Sequence, residues 1–98
     1  MQISKEETES KGRLVARDNQ QEMGEMTYSV ANEGQLLIVD HTGVNPEYAG
    51  TGVGKSLFEE LVRMVREEDR KVMPLCPFAR SMFEKNRDKW DVLRHGSL

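Results

Sequence analysis

The stretch Asn45-Pro-Glu-Tyr-Ala-Gly-Thr-Gly-Val-Gly-Lys-Ser56 decides the fold, because a long amphipathic run follows it at once. Gly50, Gly52 and Gly54 stand at every second position. They let the backbone turn tightly and aim several N–H groups at one anion. A helix starting there points the positive end of its dipole at the same spot. Such a segment is built to hold phosphate or pyrophosphate.

Downstream, Val53, Leu57, Phe58, Leu61, Val62 and Val65 recur at helical spacing, which predicts a helix from about Gly52 to Asp69. Lys55/Glu59 and Glu59/Arg63 are expected i,i+4 pairs on its outer side. Lys71-Val-Met-Pro-Leu-Cys76 reads as a short strand, with Pro74 arguing for an edge, a bulge or an early end to pairing. Pro77 can open a second helix. Phe78, Met82 and Phe83 are expected to face inward there, with Ala79, Ser81 and Lys85 outward. Trp90, Val92 and Leu93 are expected to cap the core.

Upstream, Gln35–Val44 is a nearly continuous apolar run, as in a central strand covered on both faces. Residues 23–30 alternate, with Met26, Tyr28 and Val30 on one face. Residues 12–17 form a third strand, with turns at Asp18–Gln21 and Asn32–Gly34. Residues 1–9 are polar and either fray or join a sheet edge. The expected architecture is a single α+β domain over residues 1–98, close to α/β in character, in the order β-β-β-α-β-α. An antiparallel N-terminal meander is joined to a parallel strand by a helical crossover. The glycine loop then lies at the C-terminal end of the third strand, where open sheets gather ligands.

With 98 residues, the chain can bury one modest core. Charged residues make up 32% and the net charge is -3, an ordinary composition for a soluble domain. No run of about 18 apolar residues argues for a membrane span, and the first residues lack a secretion-signal pattern. Cys76 is the one cysteine, which excludes an intrachain disulfide and fits a reducing, cytoplasmic setting. Cys76, His41 and His95 lack metal-ligand spacing, so no metal site is expected. Residues 1–40 hold 4 Lys+Arg against 8 Asp+Glu; residues 80–98 hold 5 against 3. Nothing is basic enough for a nucleic-acid groove. The acidic first part favours a cationic partner, and the basic last part could lie near a polyanion or be a solvated helical face.

Three phosphate ligands compete for the loop. A P-loop fits Ala49–Ser56 only if Ala49 replaces its first glycine, and no apolar strand ending in Asp follows. A dinucleotide turn needs a third glycine where Lys55 stands. A coenzyme A pyrophosphate site is the third. Here Val44-Asn-Pro-Glu-Tyr48 followed by Ala49-Gly-Thr-Gly-Val-Gly54 resembles the signature of the GCN5-related N-acetyltransferase superfamily. His41-Thr-x-Val44 and Val72-Met-Pro-Leu-Cys-Pro-Phe78 continue the likeness across about residues 12–94, and it points to the small, minimal group of that superfamily. Ala49 replaces the Arg or Gln of the motif, which removes a side-chain contact but leaves the backbone donors.

The resemblance implies splayed parallel strands at the cofactor site and an acetyl-CoA-dependent transfer to an amine, on a small molecule or a protein lysine. The implied cofactor-binding residues are Val44, Ala49, Gly50, Thr51, Gly52, Val53, Gly54, Lys55 and Ser56. Cys76, before a helix start, could take the acetyl group as nucleophile or be a small buried apolar residue. His41 could serve as a base or be a satisfied core histidine. Many superfamily members carry an acid Tyr on the last helix. Tyr28 and Tyr48 both precede that helix here, so the acid is absent, is water, or is another group. A module that binds CoA without catalysis is the rival reading.

Overall fold

The computed structural model describes Met1–Leu98. Its strands are β1 (Gln2–Glu7), β2 (Lys11–Asp18), β3 (Gln21–Ala31), β4 (Leu36–Val44) and β5 (Lys71–Pro74). Helix α1 (Val53–Glu67) joins β4 to β5, and α2 (Pro77–Lys85) leads into a closing 3-10 segment, Arg87–Val92. One sheet has the order β1-β2-β3-β4-β5. The first four strands form an antiparallel meander, and β5 runs parallel to β4. The α+β class and the mixed sheet are as expected, with one strand more than the sequence pattern counts.

That extra strand is β1, formed by the polar lead-in, which thus joins the edge instead of fraying. It pairs with β2 from Gln2↔Arg17 to Glu7↔Gly12. Ile3 is its one apolar residue, so no hydrophobic alternation announces it. Polar ties hold it in place. Arg70 donates both guanidinium ends to Glu7, at 3.0 and 2.8 Å, and the Tyr28 hydroxyl donates to the same carboxylate at 2.7 Å. Gly12 permits this: a Cβ there would lie 2.5 Å from the Tyr28 ring.

Two bulges set which residues face the helices. In β3, Ala16 pairs with Gly24 and Arg17 with Glu22, so Met23 is the extra residue and turns inward with Met26 and Tyr28. In β4, Tyr28 pairs with Val39 and Thr27 with His41, leaving Asp40 extra. Leu37 and Val39 face inward before this bulge; Thr42 and Val44 do so after it, opposite Met26 and Gly24. Between β2 and β3, Asn19 and Gln20 both have left-handed φ (50° and 75°), the geometry of a two-residue hairpin turn.

The core lies between one sheet face and both helices. All six stripe residues of α1 are buried, together with Met64. From α2, Ala79 and Phe83 are fully buried, and Phe83 meets Phe58 edge to face at 4.9 Å. Ala79 thus faces inward, against expectation, while Phe78 and Met82 sit half-buried at the rim. Nine residues make only two and a half turns, so a one-residue error in phasing exchanges these positions. Val92 caps the core, but Trp90 remains 38% exposed; its indole N–H donates to Phe83 O at 2.6 Å and Arg87 lies over its ring.

The opposite sheet face carries no helix. Arg13 and Arg17 spread over it and pair with Glu6 and Glu22, and Arg13 also with Glu25. So β4 is covered by helices on one face only, not on both. On α1 the ion pairs are Arg63 with Glu60 and Glu67, not the expected pairs through Glu59. Strand β5 is an edge, as Pro74 suggests, and it is protected: Pro74 lacks an N–H and Arg94 N donates to Val72 O at 3.0 Å.

Candidate functional site

Strands β4 and β5 pair only from Leu36↔Lys71 to Val39↔Pro74. Beyond that point Val39 O accepts from both Leu75 N and Cys76 N, at 2.9 Å each, and β5 ends. The Asp40 bulge follows at once in β4. From there to Val44, β4 has β3 on one side and no strand on the other, so a fork opens in the sheet. Asn45 N donates to Met23 O at 2.8 Å. Strand alternation therefore turns the Val44 N–H the other way, toward the open side of the fork.

The glycine loop continues from β4 at this point. Asn45 caps a short 3-10 turn, Pro46–Tyr48, its side chain accepting from Glu47 N. The Thr51 hydroxyl and N–H both return to Tyr48 O, closing the loop on itself. Gly50 and Gly52 have φ of 78° and 88°, and a Cβ at either would meet nothing within 4 Å. They are glycines for backbone conformation. Gly54 differs: a Cβ there would lie 2.9 Å from the Phe78 ring, so it lets α1 approach α2. The third glycine is explained by packing as well as by the loop.

The N-cap of α1 is Gly52, which offers no side-chain oxygen to its own first turn. Within the protein, the N–H groups of Gly50, Gly52, Val53, Gly54 and Lys55 have no hydrogen-bond acceptor. Five donors thus gather at the positive end of a 15-residue helix. Lys55 is exposed and makes no ion pair; Ser56 is half-buried, with its N–H on Gly52 O. Ala49 is exposed and adds no donor beyond its backbone, whose N–H is used by Pro46 O. This arrangement suits an anion with several oxygens.

Of the two catalytic candidates, Cys76 lies at the fork. It is the N-cap of α2, 3% exposed, and its thiol donates to Thr42 Oγ1 at 3.3 Å. His41 does not join it. The bulge pairs His41 with Thr27 and turns it to the helix-free face, where it is exposed rather than a core residue. Thr42, one residue on, takes the inward position that plain alternation would give His41. Sequence reasoning misses Thr42, because plain alternation puts it on the outward face and nothing in Leu36–Val44 marks the bulge that turns it inward. Phe78 and Phe83 occupy α2 where a tyrosine acid would stand, and Tyr28 is committed to Glu7. Burial and the Glu7 charge push the Tyr28 hydroxyl pKa up, so it stays a proton donor to that carboxylate.

Half of the 8 acidic residues among the first 40 are neutralised within the protein. Glu6, Glu7, Glu22 and Glu25 all pair with arginines. Glu9, Asp18, Glu33 and Asp40 make no ion pair. The largest concavities, about 730 Å³ each, lie elsewhere: one on the helix-free face beside Glu6 and Asp40, the other beside the Asn32–Gly34 turn. Neither touches the glycine loop. The chemistry of the unpaired donors is the better guide to the site. No group of three or more His, Cys, Asp or Glu is placed to hold a metal ion. No helix is long and apolar enough to cross a membrane.

The fold is a single α+β domain whose mixed sheet opens a fork beside the glycine loop and the start of α1. Residues 13–93 match the family described as GCN5-related N-acetyl-transferase, and the chain belongs to that family. It is similar to the NMR structure of a GCN5-like protein from Staphylococcus aureus, at 32% identity and a TM-score of 0.67, over 95% of this chain and 92% of that one. The fold is shared with the ribosomal-protein-alanine N-acetyltransferase of Brucella melitensis biovar Abortus 2308, at 23% identity and a TM-score of 0.67. That match covers 80% of this chain, which spans only 62% of the Brucella protein's length. It is shared also with the aminoglycoside N-acetyltransferase AAC(6')-Iy in complex with CoA, at 12% identity and a TM-score of 0.54, over 84% and 68% of the two chains. The comparison with curated proteins gave no match. Membership of this family removes the P-loop and dinucleotide readings; β5 also ends in Pro74, with no acidic residue for a magnesium ion.

Proposed function

We propose that the protein is an acetyl-CoA-dependent N-acetyltransferase that moves an acetyl group to an amine, on a small molecule or a protein lysine. The observation that carries this is the set of five unpartnered N–H groups, Gly50 and Gly52 through Lys55, placed beside the open fork. In this reading those donors hold the pyrophosphate. Lys55 and Ser56 add polar groups at the helix start, and Val44 N–H orients the part of the cofactor entering the fork. Ala49 and Thr51 shape the loop without side-chain contact to the phosphates.

Attack on a thioester needs a nucleophile free of its proton and a donor for the developing oxyanion. Val44 N–H is the backbone donor on the open side. Cys76, at the floor of the fork, is the first acceptor in this reading, and an amine then takes the acetyl group from it. His41 stands on the helix-free face, across the sheet from Cys76, and has no part in this reading. The absence of a tyrosine on α2 favours the second reading, a module that binds CoA without turnover.

Calorimetric titration with acetyl-CoA, CoA and Mg-ATP under reducing conditions, followed by an amine screen, separates these. Binding of both CoA forms without ATP, and acetyl transfer above the uncatalysed rate, is the expected result. CoA binding with no transfer to any amine would leave the binding module. No CoA binding would remove both.

A further inference from the structure

We propose that Thr42 is a positioning residue that holds the Cys76 sulfur for acyl capture; this rests on the reading of Cys76 as first acetyl acceptor. The inward face of β4 reads Leu37, Val39, Thr42, Val44. Three are apolar. The fourth has valine's shape with a hydroxyl in place of one methyl, a change that costs stability on an apolar face unless the hydroxyl is bonded. The side-chain partner of Thr42 Oγ1 is Cys76 Sγ, at 3.3 Å. Beyond Val39 no other side-chain hydrogen bond joins β4 to the β5–α2 junction. A polar link therefore spans the two arms of the fork at the nucleophile, and the Asp40 bulge puts it there: without the extra residue, His41 would face inward and Thr42 outward.

The geometry gives Thr42 a definite task. A hydroxyl has one proton to give and two lone pairs. It accepts from the thiol and, by rotating, donates to the sulfur once the thiol proton has gone. Either way it fixes the Cys76 side chain against the β4 arm. In the first half-reaction a bond forms from Cys76 Sγ to the thioester carbonyl carbon. The bond from that carbon to the CoA sulfur breaks, and the thiol proton ends on the departing CoA. In the second, the amine nitrogen bonds to the carbonyl carbon, the bond to Cys76 Sγ breaks, and a proton from the amine returns to the sulfur.

The test compares Thr42→Val with Thr42→Ser. Each full-length protein is incubated with acetyl-CoA and no amine, quenched in acid, and the acetylated Cys76 peptide is followed over time by mass spectrometry. Acetyl-CoA affinity and thermal midpoint are measured alongside. The expected result is labelling slowed about tenfold in Thr42→Val, the loss of about one hydrogen bond, at unchanged acetyl-CoA affinity. Thr42→Ser should restore labelling to within a few-fold of wild type although it packs worse. A purely structural Thr42 would reverse that order, with valine the better replacement in labelling as in stability, and would overturn the proposal. Equal labelling of wild type and Thr42→Val would overturn it alone. An unlabelled wild type that still binds acetyl-CoA would overturn it together with the nucleophile reading, and would leave the CoA site standing.

Discussion

The two ends of the sheet treat polar groups in opposite ways. At the β1–β3 end the arginines and the buried tyrosine have internal partners: Arg70 and Tyr28 converge on Glu7, and Arg13 is shared among Glu6, Glu22 and Glu25. At the β4–β5 end the pattern reverses. The α1 N-terminus and the open side of β4 present donors that no protein atom satisfies. Neutralised charge at one end holds an edge strand that has almost no apolar residues. Unspent donors at the other end are where we propose that the ligand binds. The difference teaches that a small domain can concentrate its polar cross-linking away from the site and keep the site's hydrogen bonds available.

The most damaging way to break this contrast is to fill the space beside Gly12. Gly12→Val drives a side chain into the Tyr28 ring, where even a Cβ would lie 2.5 Å away. Denaturant unfolding should show a loss of about 3 kcal/mol, while CoA affinity of the folded fraction is unchanged. A large loss of affinity in Gly12→Val would mean that the two ends are coupled.

Next in size is Glu7. The Arg70 bonds, the larger cause, and the Tyr28 hydroxyl hold its carboxyl down at about 2, below the ordinary 4.5, against the opposing effect of burial. The folded value is depressed, so the stabilisation is complete above pH 4.5 and is lost as pH falls from 4.5 toward 2. Allowing for partial exposure, it amounts to about 2 kcal/mol. Glu7→Gln should cost about that much at neutral pH and flatten the acid limb of a stability profile. An unchanged acid limb would show that Glu7 is not the group responsible.

At the other end the sign of the effects changes from stability to binding. Gly52→Val forces a β-branched residue to a φ of 88°, at a cost of about 1–2 kcal/mol. The Cβ itself meets open space, so the fold survives. Calorimetry should show CoA affinity falling below detection, and retained affinity would remove the loop from the site. Gly54→Val is a poorer probe because of the Phe78 contact. The smallest change expected is in Lys55→Ala: a several-fold loss of CoA affinity that shrinks at high salt, because Lys55 is an exposed charge. No salt dependence would take Lys55 out of the site.

Sequence patterning reads the site end of the molecule better than the stabilising end. The glycine loop, the α1 stripe and the parallel strand after it all announce themselves by spacing. β1 does not, because ion pairs and backbone bonds hold Gln2–Glu7 where periodicity expects apolar contacts. Bulges are equally silent: the one extra residue at Asp40 exchanged His41 for Thr42 at the thiol, and no side-chain pattern in Leu36–Val44 marks that slip. Helix α2 is too short for its apolar pattern to fix its phase, which is why Ala79 faces inward against expectation.

The free N–H groups of the α1 start and the fork are proposed to receive the cofactor. Backbone amide chemical-shift mapping during titration with CoA tests it most directly. Val44, Gly50, Gly52, Val53, Gly54 and Lys55 should shift together in one saturable process, while the Glu7, Gly12 and Tyr28 amides stay in place. Saturable shifts centred on β1 and β2, with the loop amides still, would contradict it.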